Sequence, residues 1–257
     1  MTARHQLEST LRTLKLSGML DTLEARLRQA KAGELGHLEF LQVLCEDEVA
    51  RREAASLIKR VRQAHFEETL TLEDFDFSFN PKVPAPVIRD LAALEFVEAK
   101  ESVILYGPVG VGKTMIAQAL GHLACRRGHQ VLFAKTSRVL AELAGGHADR
   151  TWGTRLRRLA RPDVLVLDDF AMRDFTAAQA DDLYELITER QARGAMVLTS
   201  NRSPVDWYAL FPNPVVAESV LDRLVNSSHH VFMEGRSYRP NKRPGRARTK
   251  TRGAATD

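Results

Sequence analysis

Residues 107–114 read Gly-Pro-Val-Gly-Val-Gly-Lys-Thr and complete the pattern G-x-x-x-x-G-K-S/T. An apolar run over 103–106 precedes the stretch and a helical pattern over 113–127 follows it, so the context is strand, loop and helix. Glycines allow such a loop to curl until successive N–H groups point inward at phosphate oxygens. The expected phosphate-binding residues are Gly107, Pro108, Val109, Gly110, Val111, Gly112, Lys113 and Thr114.

Two side chains of this loop are expected to carry chemistry. Lys113 would reach the β- and γ-phosphates of ATP, and the Thr114 hydroxyl would bind Mg²⁺. The start of the following helix adds the positive end of its dipole. The predicted cofactors are therefore ATP and Mg²⁺.

A pair of aspartates follows the apolar run Val164–Leu167. A strand buried in a parallel sheet would bring Asp168 to the carboxyl edge, where open α/β sheets bind ligands. We expect Asp168 to hold the metal and Asp169 to orient or deprotonate the attacking water. The alternative is that both aspartates cap a helix or belong to an ordinary loop.

A third polar strand end lies at Ser200 and Asn201, after the run Val197–Thr199. The Asn201 amide would bridge the γ-phosphate and the water, although serine and asparagine are also common turn residues. Three sites of this kind in one chain predict a P-loop ATPase with Mg²⁺-dependent attack by water.

The surrounding sequence alternates short apolar runs with helical patterns, which predicts an α/β domain with a mostly parallel sheet over 87–235. Residues 1–70 have helical leucine spacing that runs to a glycine stop at Gly33 and resumes near Leu38. Residues 71–86 contain three prolines and are expected to form a linker. The basic segment 236–257 is expected to be a largely disordered tail.

Composition narrows the class of protein. No apolar run approaches the 18 residues of a membrane span, the N-terminus lacks a secretory signal pattern, and Cys45 and Cys125 have no metal-site spacing. A cytoplasmic protein with no membrane contact is expected.

The positive charge is concentrated at one end of the chain. Residues 236–257 contain 8 basic and 1 acidic side chains, whereas residues 71–235 contain 18 basic and 21 acidic ones. We expect Arg243, Arg246 and Arg248 to bind DNA phosphates without sequence preference. A second cluster, Arg155, Arg157 and Arg158, would either face DNA or form a solvated helix face.

Several stretches together resemble the AAA+ ATPases, and more narrowly the IstB family of transposition helper ATPases, relatives of the DnaC helicase loaders. The stretches are residues 71–79 (TLEDFDFSF), 107–114, 119–128 (ALGHLACRRG), 159–170 (LARPDVLVLDDF), 199–201 (TSN) and 237–239 (SYR). The resemblance implies a five-stranded parallel sheet of order 5-1-4-3-2 and an N-terminal helical domain. Only about 35 residues separate Asn201 from the tail, too few for a full AAA+ lid domain.

Carried onto this sequence, the resemblance assigns residues 107–114 to Walker A, Asp168 and Asp169 to Walker B, and Asn201 to sensor 1. It also implies that Arg223 reaches the nucleotide of a neighbouring subunit, with an ion pair to Asp222 or Glu218 as the alternative. Two departures stand out: most AAA+ proteins have glutamate at the place of Asp169, and relatives usually have glycine at that of Ala171.

The function implied by the resemblance is an ATP-dependent DNA-binding helper of an insertion-sequence transposition system. Its expected partners are double-stranded DNA, a cognate transposase and further copies of itself in an ATP-dependent ring or helical assembly. Slow, DNA-stimulated ATP hydrolysis would drive target-DNA selection or remodelling. Two alternatives remain open: a DnaC-type replicative helicase loader, and an ATP-assembled DNA-bending scaffold with negligible turnover.

Overall fold

The computed structural model of the chain describes residues 3–191 and 193–238. It divides after Arg62 into two compact units. The division precedes the expected domain limit at residue 70 because the Glu67 and Glu68 N–H groups both donate to Gln118 Oε1 in the second unit. The predicted linker 71–86 contains a 3₁₀ turn at Leu72–Asp74.

The first unit is helical. Its helices are α1 (Ala3–Thr13), α2 (Ser17–Lys31) and α3 (His37–Ala64). Leu11, Leu23 and Leu44, one from each helix, form its buried core. The leucine spacing predicts one helical stretch up to Gly33, whereas the structure breaks it at Lys15, whose φ is +57°.

A buried carboxylate joins two helices of this unit. The Glu48 side chain on α3 accepts a hydrogen bond of 2.6 Å from the Gly18 N–H of α2. The same carboxylate pairs with Arg51 and Arg52 on its own helix. These charge-assisted contacts lower the pKa of Glu48 to about 2.

The second unit is an α/β domain. Its strands are β1 (Ser102–Tyr106), β2 (Val131–Lys135), β3 (Val164–Asp168), β4 (Ala195–Ser200) and β5 (Ser228–Phe232). Its helices are α4 (Ala85–Leu91), α5 (Glu95–Glu98), α6 (Lys113–Arg126), α7 (Thr136–Ala148), α8 (Trp152–Ala160), α9 (Ala177–Gln191) and α10 (Pro214–Val225), with 3₁₀ turns at Pro204–Asp206 and Tyr208–Leu210. The cluster Arg155, Arg157 and Arg158 lies on α8, and a break at Leu94, whose φ is +64°, separates α4 from α5.

All paired strands are parallel, in the order β2-β3-β4-β1-β5. This is the predicted order 5-1-4-3-2 written from the other edge, so the predicted α/β class and sheet order are confirmed. Every residue of β3 and β4 is buried. A parallel sheet covered on both faces favours such continuous apolar strands.

Register aligns the strand ends that carry the predicted site. Tyr106 at the end of β1 pairs with Ser200 at the end of β4. Leu167 of β3 pairs with Leu198 of β4, so Asp168 and Thr199 stand side by side. The loop after β1 therefore meets the ends of β3 and β4 at one edge of the sheet.

A separate lid is missing from the part of the chain that the structure describes. After β4, two 3₁₀ turns and α10 lead to β5, which pairs with β1, so α10 lies in the crossover to the last strand.

Within residues 3–191 and 193–238, no helix has both the length and the apolar composition that a membrane span requires.

Candidate functional site

The loop between β1 and α6 is built from residues in left-handed backbone conformations. Gly107, Gly110 and Gly112 have φ values of +142°, +83° and +104°. A Cβ at Gly107 would lie 2.3 Å from the Met233 carbonyl oxygen, so no other residue fits there. The curled backbone is the geometry that phosphate-binding loops need.

The Lys113 side chain lies inside this loop. Its ammonium donates hydrogen bonds to the carbonyl oxygens of Gly107, at 2.8 Å, and Pro108, at 2.7 Å. Only 7% of the residue is exposed. A cation is thus held at the centre of the loop, where it can pair with phosphate oxygens.

The Asp168 carboxylate collects two hydroxyl groups. Thr114 Oγ1, from the first turn of α6, donates to Asp168 Oδ1 at 2.8 Å. Thr199 Oγ1, from β4, donates to the same oxygen at 2.6 Å. Asp168 is 2% exposed, so these bonds satisfy a buried carboxyl oxygen and hold the side chain in a fixed position.

This donor set fits Mg²⁺. Thr114 and Asp168 offer a hydroxyl and a carboxylate oxygen side by side, and Mg²⁺ prefers hard oxygen ligands. No group of three or more His, Cys, Asp or Glu side chains with metal-site geometry occurs among the described residues. A Mg²⁺ site does not require such a cluster, because Mg²⁺ can be held by one carboxylate and take its remaining ligands from water and phosphates.

Two of the three other predicted catalytic side chains, Asp169 and Asn201, line the same cavity. Asp169 has φ +55°, and its N–H donates to Thr199 Oγ1 at 3.0 Å. Asn201 lies beyond the end of β4, where its Nδ2 contacts Met172 Sδ at 3.1 Å. The structure therefore brings Asp168, Asp169 and Asn201 together at the loop.

The cavity around these groups has a volume of about 340 Å³. It is lined by the loop residues 109–114 with Met115, by Asp168, Asp169 and Asn201, by Glu67, Glu68, Leu70, Gln118 and Lys135, and by Asp74, Phe75, Asp76, Phe79, Asn80 and Tyr238. Residues 67–80 thus contribute a wall to the site. This agrees with their forming part of the second unit.

Comparison with known proteins identifies the family. A profile described as IstB-like ATP binding protein matches residues 9–245. The chain belongs to this family. The IstB resemblance inferred from the motifs is therefore confirmed.

Two relatives cover nearly the whole length. An ATP-binding protein of an insertion sequence from Mycobacterium tuberculosis strain H37Rv is 66% identical over 241 residues, 93% of this chain and 96% of that protein. The ATP-binding protein of insertion sequence IS21 from Pseudomonas aeruginosa is 37% identical over 235 residues, 91% and 89% of the two chains.

A solved structure supports the fold. The crystal structure of the DnaC helicase loader superposes with a TM-score of 0.54 at 20% identity, covering 68% of this chain and 99% of that one. At this identity the likeness concerns the fold alone.

Arg223 of this IstB-like chain does not line the cavity of its own subunit. It lies on α10, where its guanidinium donates to the Ser219 carbonyl oxygen at 2.7 Å and stacks 5.2 Å from the Tyr184 ring centroid. These contacts differ from the alternative ion pair with Asp222 or Glu218. Its role toward a neighbouring subunit stays a prediction.

The predicted DNA-binding arginines differ in how they are held. Arg155 pairs with Asp149 and also donates to the Glu142 carbonyl oxygen at 2.8 Å, and Arg158 pairs with Glu142. Arg157 is exposed on α8. The tail arginines 243, 246 and 248 lie outside the described residues.

Sequence reasoning did not assign a role to Thr199, although it bonds both aspartates of the site. The sequence does contain a signal for this role, because Thr199 is a hydroxyl residue that directly precedes Ser200 at the end of an otherwise apolar strand. It also did not assign site roles to the aromatic residues Phe75, Phe79 and Tyr238. Their contribution depends on segments from both ends of the domain meeting at the loop.

Proposed function

We propose that this IstB-like protein is a Mg²⁺-dependent ATPase that assembles with ATP on duplex DNA and assists a transposase in choosing or remodelling target DNA. One observation carries the ATPase part. The hydroxyls of Thr114 and Thr199 converge on one oxygen of Asp168, in the cavity that also contains Lys113. Insertion-sequence relatives support the transposition part.

In the proposed reaction, water attacks the γ-phosphorus and the bond to the β–γ bridging oxygen breaks, releasing ADP and phosphate. Lys113 pairs with the β- and γ-phosphate oxygens, and Asp169 accepts the proton of the attacking water while Asn201 orients it. Thr114 and Asp168 would hold Mg²⁺, which neutralises negative charge on the phosphates when bound.

Hydrolysis is expected to be slow. Aspartate is one methylene shorter than the glutamate usual in AAA+ proteins, so the carboxylate of Asp169 reaches less far toward the water. A misplacement of about 1 Å can cost roughly 10²-fold in rate. A slow ATPase suits a switch that stays assembled until it has acted.

We propose that the protein assembles into an oligomer because Arg223 can then take part in hydrolysis. Arg223 does not line the cavity of its own chain, so in this proposal it completes the site of a neighbouring copy. An arginine supplied in trans stabilises transition-state charge and ties hydrolysis to assembly.

DNA binding is proposed from charge. The segment 236–257 has a net charge of +7, and segments of this type bind phosphates without reading sequence. Arg243, Arg246 and Arg248 belong to it, and Arg157 adds an exposed cation on α8.

The test combines the ATPase rate with sedimentation, each with and without duplex DNA. We expect a large ATP-dependent oligomer with DNA-stimulated hydrolysis, both lost in Lys113→Ala and kept in Lys100→Ala, which removes an exposed lysine away from the cavity. Assembly without turnover would favour the scaffold alternative. Absence of both assembly and DNA stimulation would contradict the proposal and direct attention to a helicase partner.

A further inference from the structure

The residues that line the cavity fall into two chemically different sets. Lys113, Thr114 and Asp168 offer a cation, a hydroxyl and a carboxylate, which suit phosphates and a metal ion. Phe75, Phe79 and Tyr238 offer aromatic rings. The flat face of a nucleobase is the part of a nucleotide that such rings recognise, because every base presents a π-face.

Residues 234–238, which we call the strap, run from β5 to the phosphate-binding loop. The Tyr238 N–H donates to the Gly110 carbonyl oxygen of that loop at 2.9 Å. The Tyr238 ring meets Phe79 edge-on, with centroids 4.8 Å apart. The strap thereby brings an aromatic ring from the end of the domain to the mouth of the loop.

The Asn80 side chain holds the strap from the other wall of the cavity. Asn80 Nδ2 donates to the Arg236 carbonyl oxygen at 2.9 Å, and the Arg236 N–H donates back to Asn80 Oδ1 at 2.9 Å. Asn80 is 5% exposed, so both bonds are shielded from water. An ion pair between Lys82 and Glu234 adds a further tie.

The close approach of the two walls requires glycine in the strap. Gly235 has φ +154°, and a Cβ there would lie 2.4 Å from Asn80 Cγ. The residue type at 235 thus permits the paired hydrogen bonds between Asn80 and Arg236.

We propose that the strap is a wall of the nucleobase subsite, with Tyr238 in contact with the base and Asn80 as the positioning residue. It takes the place of the lid that the described part of this chain lacks. Tyr238 is 38% exposed, which leaves part of its ring open to a ligand. The inference rests on the ATP site of the proposed function.

The test compares ATP with inorganic tripolyphosphate, which has the phosphates and no base. Calorimetry on the full chain should show that Tyr238→Ala weakens ATP binding about tenfold and leaves tripolyphosphate binding unchanged. Tyr238→Phe keeps the ring and should bind ATP as the wild type does. Asn80→Ala should reproduce the selective loss, because it releases the strap while the Tyr238 ring is still present.

Lys113→Ala distinguishes the phosphate site from the strap, because it should weaken the binding of ATP and of tripolyphosphate alike. Wild-type protein that bound neither compound would overturn the proposed function. Wild-type binding of both, with ATP affinity kept in Tyr238→Ala, would overturn the role of the strap alone. An equal loss for both compounds in Tyr238→Ala would also overturn it, since the strap would then act through the phosphate loop.

Discussion

At the scale of single residues, the site depends on hydroxyl groups that position carboxylates. Thr199 donates to Asp168 Oδ1 and accepts from the Asp169 N–H, so one side chain sets the position of both aspartates. The backbone after these aspartates adopts a positive φ at a residue other than glycine. Ala171 has φ +57°, a conformation that glycine adopts without steric cost.

Thr199→Val tests this positioning role. Valine keeps the shape of threonine and removes the hydroxyl, so Asp168 loses a donor and the Asp169 N–H loses its acceptor. We expect kcat for ATP hydrolysis to fall roughly 10- to 100-fold and the Mg²⁺ concentration for half-maximal rate to rise. Steady-state kinetics over a Mg²⁺ series measures both.

Thr199→Ser is the matched control and should keep most of the activity because it retains the hydroxyl. Equal rates for the valine and serine variants would show that the hydroxyl does not position the aspartates.

At the scale of secondary-structure elements, backbone hydrogen bonds at the end of a helix determine where it stops, which the leucine spacing does not predict. At the end of α1, the Leu16 N–H donates to the Leu11 carbonyl oxygen at 2.9 Å and the Lys15 N–H to that of Arg12 at 3.0 Å. This pair of bonds is a Schellman motif, with Lys15 in the left-handed position. Leu16 is partly buried and packs against the core cluster that contains Leu11, which is consistent with the apolar contact that accompanies this motif.

Lys15→Gly should therefore stabilise the N-terminal unit by about 0.5–1 kcal/mol, because glycine adopts positive φ without strain and this outweighs its greater freedom when unfolded. Lys15→Ala removes the same charge and keeps the strain, so it should give no such gain. Hydrogen exchange of peptides from residues 3–31 in increasing urea measures the change. A glycine variant no more stable than the alanine variant would contradict the assignment of strain.

At the scale of the whole molecule, the site is complete only where several parts of the chain meet. The loop after β1 and the ends of β3 and β4 supply the phosphate and metal groups, and residues 67–80 and the strap supply the remaining walls. Arg223 does not line this cavity. The active unit that we propose is therefore larger than one chain.

Mixing two inactive variants tests this. Asp169→Asn would bind nucleotide and still offer Arg223 but lack the group that accepts the proton of the attacking water, whereas Arg223→Ala would bind nucleotide and lack the arginine. Each alone should have little DNA-stimulated ATPase activity, and an equal mixture should recover roughly a quarter of the wild-type rate if subunits pair at random in a head-to-tail assembly.

Arg193→Ala, which removes an exposed arginine paired with Glu189, is the control and should remain active alone. A mixture no more active than its components would exclude an arginine supplied between subunits.

The family resemblance supplied the sheet order, whereas sequence patterns alone predicted the phosphate loop and the edge at which Asp168, Asp169 and Asn201 gather. Local patterns suffice for these features, because a loop of fixed glycine spacing and the carboxyl ends of parallel strands can adopt few arrangements. Three further features became apparent only in the folded chain, namely the break at Lys15, the hydroxyl bridge of Thr199 and the pairing of Asn80 with the strap. Asn80 and Arg236 are far apart in sequence, and no local spacing records a contact that forms when two walls of a cavity close.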